Sequence, residues 1–365
     1  MKFAVFLQHY FPYGGLQRDA LRLCESAIDL GDSPTLVVST WSGPKPKRVP
    51  IMELYCGGIS NHQKAARFAK DCQSIIQSKK FDSSISFSRV PGSAFQFCGD
   101  PCLAEKIHRD KPRIAHFLPR YRFILGNESA VFGPSSQTHL FFLAQSEIPA
   151  FQKYYSIPPE RITLLPPWLK KPEVFAESPQ AIKSQFLQEQ NLPSDADLLL
   201  FVGSDFKRKG LDQAIAALAT IKNTPYHLIV CGLSEAGEFQ KQAQQLGCSE
   251  RVHFLGPRDD IPKLMTAASM LIHPARQETA GMVLLEALTY GLPVLCTENC
   301  GYATHVQEAG CPLLKKDESS KNISEGILNL APRIPELKEQ IKKWAEDPSR
   351  YYTANLILDK IRQSF

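Results

Sequence analysis

The sequence predicts an α/β protein with two Rossmann-like domains that face each other across a cleft. Three observations support this fold class. Short apolar runs alternate with helical patterns in the first half of the chain, prolines interrupt the alternation at 164–172 (LLPPWLKKP), and the same alternation then begins again. Strands that alternate with helices favour a parallel sheet covered on both faces. A length of 365 residues suits two such domains.

The first half of the chain supplies the predicted elements of the first domain. Its strand-like runs are FAVFLQ, TLVVST, SSISF and THLFFLA, and its helix-like runs are LQRDALRLCESAIDLG and HQKAARFAKDCQSIIQSKK. The prolines after residue 164 break any regular element and predict a hinge. We therefore place the first domain at residues 1–165.

The second half is more regular than the first. Its strand-like runs are LLLFVGSD, YHLIVCG, VHFLG, SMLIHP and PVLCT, separated by helical patterns such as KGLDQAIAALATI and EFQKQAQQLG. These runs predict a second domain over residues 166–349. The last helical pattern, RYYTANLILDKIRQSF, follows a break at Pro348. We assign residues 350–365 to a helix that returns to the first domain.

Composition limits the class of protein. The chain is 43% hydrophobic and 22% charged, as a globular protein is. No run approaches the roughly 18 to 20 apolar residues that cross a bilayer, and the start of the chain lacks the pattern of a secretory signal. The cysteines form no CxxC pair, which favours free thiols in a reducing compartment over structural zinc. We therefore expect a cytoplasmic protein.

A basic segment holds most of the excess positive charge. Between residues 103 and 123 six cations, Lys106, Arg109, Lys111, Arg113, Arg120 and Arg122, stand against Glu105 and Asp110. Large apolar residues, Ile107, Ile114, Phe117, Leu118, Tyr121 and Phe123, are interleaved with them. Such a segment suits the surface of an anionic membrane. The alternative is a solvated amphipathic helix that covers the sheet. Nucleic acid is not expected as a partner, because no recognition motif accompanies the patch.

Three loops that follow predicted strands carry candidate ligand-binding residues, as expected for doubly wound sheets. In the first, HYFPYGGLQRD, Gly14 and Gly15 would let the backbone approach a ligand and open a helix whose amides attract an anion or a sugar. Asp19 lies about one turn into that helix. The loop is not GxGxxG, which argues against a dinucleotide cofactor. The alternative is a tight turn followed by a surface acid.

The second loop, FKRKG, places Arg208 and Lys209 between a strand and a helix of the second domain. Cations at this position can neutralise a diphosphate and stabilise it as a leaving group. A solvated turn is the alternative interpretation.

The third loop, RQETAG, leads into a helix that starts near Gly281 and Met282. The amides and the dipole at that helix start can hold a phosphate, and Glu278, just before them, can reach hydroxyl groups. Glu286 lies about a turn and a half into the helix within an apolar stretch, where an unpaired carboxylate is costly and two ribose hydroxyls would satisfy it. Pairing with a cation is the alternative for Glu286.

Together these loops predict a sugar-nucleotide site. The ribose would lie on Glu286, the diphosphate between the helix start and Arg208 and Lys209, and the sugar near Glu278. We expect no metal and no cofactor besides the sugar-nucleotide substrate. The one DxD sequence, Asp195-Ala196-Asp197, precedes a strand and so lies at the wrong end of the sheet for the phosphates.

Four blocks, YFPYGGLQRD, GSDFKRKGLDQAI, HPARQETAGMVLLEA and GLPVLCTENCGYA, resemble the retaining glycosyltransferases of the two-Rossmann (GT-B) kind. Among these, the chain resembles most the lipopolysaccharide core glucosyltransferase I family of Gram-negative bacteria. The resemblance runs from Met1 through the second domain, and Glu278 and Glu286 match the two-glutamate signature of retaining transferases. One departure is the hinge, where an expected arginine is missing and Lys170 or Lys171 stands nearby.

The resemblance implies an activity: transfer of glucose from UDP-glucose to an inner-core heptose of lipopolysaccharide, with retained anomeric configuration. It implies a membrane-facing acceptor domain (1–165 with 350–365) on the inner face of the inner membrane, and a donor domain (166–349). Rival interpretations are another retaining transferase with a different donor or acceptor, a two-domain sugar-nucleotide epimerase, and a non-catalytic carbohydrate- or membrane-binding module.

The resemblance also implies roles for single residues. Gly14 and Gly15 would contact the donor, and Asp19 would lie at the interface of donor and acceptor. Ala280, Gly281 and Met282 would supply backbone amides to the donor. The segment 103–132 would associate with the membrane.

Overall fold

The computed structural model describes residues 1–12, 14–112, 114, 117–232, 235–351 and 353–363. Its internal contacts divide the chain into two units. Unit 1 comprises Met1–Pro166 and Tyr352–Phe365, and unit 2 comprises Pro167–Tyr351. These limits fall one residue after the predicted hinge boundary and two residues after the predicted start of the C-terminal segment.

Unit 1 is built on a parallel sheet. In the described residues its order is β5-β3-β1-β6-β7-β8-β9. The strands are β1 (Lys2–Phe6), β3 (Ser33–Val38), β5 (Ile51–Glu53), β6 (Ser83–Ser86), β7 (Phe95–Cys98), β8 (His139–Phe142) and β9 (Ile162–Leu164). A separate two-stranded ribbon is formed by β2 (His9–Tyr10) and β4 (Thr40–Trp41). Central strands such as KFAVF are buried after the first residue, as expected for a sheet covered on both faces.

Helices cover this sheet. They are α1 (Gly15–Asp29), α2 (Asn61–Gln77), α3 (Leu103–Asp110), α4 (Pro119–Phe132) and α5 (Ile148–Tyr155). Helix α2 begins with a reciprocal capping box between Ser60 and Gln63. The predicted elements FAVFL, LQRDALRLCESAID and SSIS are confirmed. The runs FQFC and ITL, three or four residues long, were not predicted as strands because so few residues show no clear period.

Unit 2 repeats the architecture with the strand order β12-β11-β10-β13-β14-β15 in its described part. The strands are β10 (Asp197–Val202), β11 (Tyr226–Cys231), β12 (Val252–Gly256), β13 (Met270–His273), β14 (Val294–Thr297) and β15 (Leu313–Leu314). The helices are α6 (Pro179–Glu189), α7 (Leu211–Thr220), α8 (Gly237–Gln245), α9 (Ile261–Ala267), α10 (Met282–Thr289), α11 (Ala303–Glu308), α12 (Ser320–Leu330) and α13 (Ile334–Ala345). All the predicted strands of this half are confirmed.

The strand orders fix where ligands are expected. In unit 2, β10 pairs with β11 on one side and with β13 on the other, so the chain reverses direction across the sheet between β10 and β13. The carboxyl ends of the two strands at such a switch point form the ligand-binding edge of doubly wound folds. In unit 1 the corresponding neighbours are β1 and β6.

The final helix, α14 (Thr353–Gln363), belongs to unit 1 and packs against α1. Its apolar face, Ile357, Leu358 and Ile361, is fully buried. Arg362 donates a hydrogen bond of 2.7 Å to Asp32. Among the described residues, no helix combines the length and apolar character that crossing a membrane requires.

Candidate active site

The loops after β10 and β13 bring three predicted site residues into contact. Lys209 Nζ lies 2.9 Å from Glu278 Oε2, and Arg208 Nη1 lies 3.4 Å from the same oxygen. Arg208 also donates 2.8 Å to the Gln277 carbonyl and 3.2 Å to Asp205 Oδ2. The structure therefore places two cations around one carboxylate at the switch point of unit 2.

Glycines at two positions allow the lysine to reach the carboxylate. The Lys209 stem crosses Gly203, where a Cβ would lie 2.2 Å from Lys209 Cδ. Gly210, at the end of the same loop, has a φ of +78° and faces the Pro274 carbonyl so closely that a Cβ would lie 2.0 Å from its oxygen. A side chain at Gly210 would force the two loops apart, whereas a side chain at Gly203 would displace the Lys209 stem.

Arg276 joins the two loops from the other side. Its guanidinium forms a bidentate pair with Asp212 at 2.7 and 2.8 Å and donates to the Lys207 carbonyl at 2.7 Å. Its backbone amide donates to the Arg208 carbonyl at 2.9 Å. Arg276 therefore ties the loop of Lys207–Gly210 to the loop of Glu278 through both its side chain and its backbone. A planar guanidinium suits this role because it offers several donors in fixed directions.

Glu278 is held as a carboxylate by its surroundings. Burial alone would raise the pKa of its carboxyl group, but the Lys209 ammonium, the nearby His273 ring and the Arg208 guanidinium together hold that pKa well below its usual range. Oε2 of Glu278 is buried, and no donor in the described part of the chain is well aligned with it. Charge attraction therefore holds this oxygen more than directed hydrogen bonds do.

His273 lies beneath this carboxylate. Its side chain is fully buried at the end of β13, and Nε2 is 3.5 Å from Glu278 Oε2. Burial lowers the pKa of His273, although the nearby Glu278 opposes that shift. Neither ring nitrogen makes a well-directed hydrogen bond within the described residues. His273 is not among the residues that the sequence motifs indicate, although a histidine at the carboxyl end of a buried strand is a usable signal.

The Glu278 loop is also fixed to the loop after β14. The Gly301 amide donates 2.9 Å to the Glu278 carbonyl, and the Tyr302 amide donates 2.9 Å to the Ala280 carbonyl. Thr297 Oγ1 donates to the Ala275 carbonyl at 2.7 Å. Backbone atoms of residues 275–280 are therefore held on both sides, which leaves the Glu278 side chain preorganised.

Helix α10 starts where the sequence predicts. Gly281 is its N-cap with a φ of +88°, and no side chain caps the first amides. The amides of Ala280, Gly281 and Met282 therefore stand at a helix start whose dipole favours an anion. Glu286 is half-buried rather than enclosed by its apolar neighbours: it shares the partly exposed side of the helix with Met282 and Val283, while Leu284, Leu285, Ala287 and Leu288 face the core. Its apolar sequence neighbours therefore do not surround it.

The remaining predicted residues of the glycine loop belong to unit 1. Gly14 is the N-cap of α1, and a Cβ there would lie 2.0 Å from Gln17 Oε1, so this glycine makes room for a side chain of the protein itself. Gly15 has open space around its Cβ position. Asp19 is buried, 5% exposed, with Arg22 Nη1 at 3.9 Å, and is not the surface acid of the alternative interpretation.

The basic segment forms two helices, α3 and α4, with a connection between them. Lys106, Arg109, Lys111, Arg120 and Arg122 are exposed, and Arg113 lies outside the described residues. Ile114, Phe117 and Leu118 are 77%, 79% and 54% exposed. Ile107 is instead part of the core. One face of α3 therefore covers the sheet, as the alternative interpretation expects. Ile114, Phe117 and Leu118, which follow α3 in the sequence, are instead exposed, as is the nearby cation Lys111.

A buried carboxylate anchors these two helices. Glu128 on α4 is fully buried and accepts the amides of Leu103 and Ala104 at 2.9 and 2.8 Å, which caps α3. It also accepts the Tyr155 hydroxyl at 2.6 Å and pairs with Arg89 at 2.9 Å. This buried carboxylate therefore ties the start of α3 to α4 and α5.

Metal ligands are not gathered at these loops. Within the described part of the chain, no group of three or more His, Cys, Asp or Glu side chains is arranged to hold a metal ion. Asp197 begins β10 and pairs with Lys183 at 2.8 Å, at the amino end of the sheet as predicted. All the cysteines of the chain are free and buried.

Comparisons with known proteins agree on the family. Residues 183–348 match the family described as Glycosyl transferases group 1. The chain is 34% identical over 351 residues to the lipopolysaccharide glucosyltransferase WaaG of Escherichia coli (strain K12). The aligned region covers 95% of this chain and 93% of that protein.

Solved structures give the same result. The crystal structure of WaaG, a glycosyltransferase involved in lipopolysaccharide biosynthesis, has a TM-score of 0.91 at 33% identity, with 98% of this chain and 99% of that chain covered. Sucrose-phosphate synthase from Thermosynechococcus elongatus, at 15% identity and a TM-score of 0.79 over 100% of this chain and 98% of that chain, shares the fold alone. The predicted GT-B fold class is thereby confirmed. The chain belongs to the group 1 glycosyl transferases, in the family of lipopolysaccharide glucosyltransferases that includes WaaG.

Proposed function

We propose that this protein transfers glucose from UDP-glucose to a heptose of the lipopolysaccharide inner core, with retention of the anomeric configuration. The observation that carries the proposal is the cluster of Lys209, Arg208 and Glu278, in a chain 34% identical over most of its length to a lipopolysaccharide glucosyltransferase. The cluster combines the charges that a sugar diphosphate needs: cations for the phosphates and a carboxylate for sugar hydroxyls.

The roles follow from the positions of these groups. Arg208, Lys209 and the first amides of α10 would neutralise the diphosphate as it departs, and this charge stabilisation would supply most of the catalysis. Glu278, fixed as an acceptor by its low pKa, would hold donor sugar hydroxyls, and Glu286 the ribose. Asp19, Gly14 and Gly15 of unit 1 keep, as part of this proposal, the roles that the sequence resemblance implies for them.

The bond changes balance without a protein nucleophile. The bond between the sugar C1 and the diphosphate oxygen breaks, and a bond from C1 to the acceptor hydroxyl oxygen forms on the same face. The acceptor proton passes to the departing phosphate, and UDP leaves. We include metal independence in the proposal, because Arg208, Lys209 and the helix dipole offer positive charge to the leaving group.

The acceptor is attached to a membrane, and the basic segment fits that setting. Ile114, Phe117 and Leu118 are exposed, and the same segment exposes Lys106, Arg109, Lys111, Arg120 and Arg122. Apolar side chains beside cations favour an anionic bilayer surface. We place the protein on the inner face of the inner membrane, and its buried free thiols suit a reducing compartment.

The test is a panel assay. Purified protein is incubated with several nucleotide sugars, with and without a truncated core acceptor that ends in unglucosylated heptose, and UDP release and the anomeric configuration of the product are measured. Acceptor-dependent release from UDP-glucose with a retained configuration is expected. Conversion of the donor sugar without acceptor would favour an epimerase instead, and binding of vesicles without any UDP release would favour a non-catalytic module.

A further inference from the structure

Two aromatic rings in unit 1 are stacked face to face. The ring centroids of Tyr10 and Trp41 are 3.7 Å apart, and their planes differ by 6°. The two residues are partners in the β2–β4 ribbon, and both rings are half-buried. A parallel sandwich is less favourable than an edge-on or offset pair, because the negative faces of the two rings oppose each other. Packing alone therefore gives no clear reason for this arrangement on a partly exposed ribbon.

The pair is held in place by polar contacts. Trp41 Nε1 donates 2.9 Å to the Gly43 carbonyl, and the Ser42 amide donates 3.0 Å to the Tyr10 carbonyl. His9 Nδ1 and Thr40 Oγ1 are 2.8 Å apart, and Gln17 Nε2 donates 3.1 Å to the His9 carbonyl. A surface that is already fixed loses little conformational entropy when it binds a ligand.

The ribbon lies where a ligand of this unit is expected. Strand β2 follows β1, and β4 follows β3, so both project from the carboxyl edge of the parallel sheet. Gln17, which holds the His9 carbonyl, stands in the first turn of α1 directly after Gly14 and Gly15. The aromatic pair is thus connected to the glycine loop by a single side chain.

We propose that the Tyr10–Trp41 pair is a sugar-binding subsite that receives the apolar C–H face of a pyranose ring of the acceptor oligosaccharide. The C–H groups carry partial positive charge that complements the negative ring face. His9 and Thr40, which precede the two aromatic residues in their strands, are exposed and offer further polar groups on the same ribbon. This inference rests on the proposed function, because it assigns the acceptor of the same reaction.

The test separates acceptor binding from donor binding. With saturating UDP-glucose and the truncated core acceptor, Trp41→Leu is expected to raise the acceptor KM about tenfold, whereas Trp41→Phe, which keeps a ring, stays within about threefold of the native value. UDP binding measured by calorimetry should not change in either variant. Phe81→Leu is the matched control, since Phe81 is a half-buried ring before β6 at the amino edge of the same sheet. An unchanged acceptor KM in Trp41→Leu overturns the inference.

A second measurement requires no sugar transfer and leaves the residues of the β2–β4 ribbon unchanged. The chain has 3 tryptophans, so the double variant Trp168→Phe/Trp344→Phe reports on Trp41 alone. Titration with the core oligosaccharide is expected to shift Trp41 fluorescence, and an absent shift counts against the subsite. If the native protein releases no UDP with any donor and this acceptor, the proposed function fails, while the Trp41 titration still decides whether the pair binds sugar.

Discussion

Lys209 Nζ lies 2.9 Å from Glu278 Oε2, and both side chains are 12% exposed. The pair joins two loops that are 69 residues apart in sequence, since Lys209 follows β10 and Glu278 follows β13. A buried pair of this kind is sensitive to the loss of one partner, because the other is left as an uncompensated charge.

We expect Glu278→Gln to reduce sugar transfer by about a hundredfold or more, because the amide no longer matches the cations or accepts hydroxyls in the same way. The free energy of unfolding should fall by about 3 kcal/mol, the typical cost of breaking a buried pair. A double-mutant cycle with Lys209→Gln, followed by urea unfolding, should give a coupling of about 2 kcal/mol.

The exposed pair Lys321–Glu325, 80% and 55% exposed at 3.8 Å, is the control for this cycle. Its coupling should be about 0.5 kcal/mol or less. Equal couplings for the two pairs would contradict the role assigned to Glu278 and Lys209.

Gly203→Ala should impair the site without removing any charge. The new Cβ would lie 2.2 Å from Lys209 Cδ, so the lysine stem must move away from Glu278. We expect binding of UDP-glucose to weaken about tenfold, measured by calorimetry. Gly237→Ala is the control, because nothing lies within 4 Å of its Cβ position at the start of α8. Normal affinity in Gly203→Ala would show that the Lys209 position is unimportant for the donor.

Arg276→Lys tests the arginine that joins the two loops. Lysine keeps the charge but cannot pair with both oxygens of Asp212 and also reach the Lys207 carbonyl. The donor KM should rise about tenfold with little change in stability. Arg258→Lys is a matched control, since Arg258 makes a bidentate pair with Asp260 within a single loop. If both variants behave alike, the connection between the loops has no role.

The histidines predict a stability that depends on pH. Burial lowers the pKa of His139 and His253 to about 4, with smaller contributions from Lys360 and Arg161 at His139 and from His227 at His253. Each folded pKa lies below the ordinary value of 6.5. The unfolded chain therefore binds more protons between these values, and stability falls as the pH falls from 6.5 toward 4.

Urea unfolding between pH 6.5 and pH 5 measures how steeply the free energy of unfolding depends on pH. This range is chosen because it lies above the pH at which carboxyl groups with a lowered pKa titrate. His139→Gln and His253→Gln should each reduce this slope. Above pH 8 both histidines are neutral in the folded and unfolded states, so the variants should show no extra slope there. Slopes identical to that of the native protein would refute the prediction.

The basic segment predicts binding to anionic vesicles. Replacing Arg109, Lys111, Arg113, Arg120 and Arg122 with glutamine should abolish flotation with phosphatidylglycerol vesicles, since each cation near such a surface contributes about 1 kcal/mol. Serine at Ile114, Phe117 and Leu118 should weaken flotation even with all cations present. Glutamine at the exposed Lys321, Lys338, Lys342 and Lys343 of unit 2 is the control. Flotation that survives the first set of changes would rule out this surface.

That Arg208, Lys209 and Glu278 come together could be predicted, because all three lie in loops that follow apolar strands of a repeating α/β pattern. What could not be predicted depends on side-chain direction and on distant pairing. The apolar neighbours of Glu286 suggested burial, but they face the core on the other side of the helix. The Arg276–Asp212 pair and the Tyr10–Trp41 stack join residues 64 and 31 positions apart, and no local pattern encodes their register.

The return of α14 to unit 1 has a consequence for biosynthesis. Ile357, Leu358 and Ile361 fill part of the core of unit 1, and Arg362 pairs with Asp32. A ribosome makes these residues only after all of Pro167–Tyr351 has been translated. Nascent domains generally fold from the amino terminus onward. Here unit 1 begins first but lacks its last helix until the end of translation, whereas all residues of unit 2 are made before that helix. Premature termination near residue 350 would thus leave a finished unit 2 attached to an unfinished unit 1.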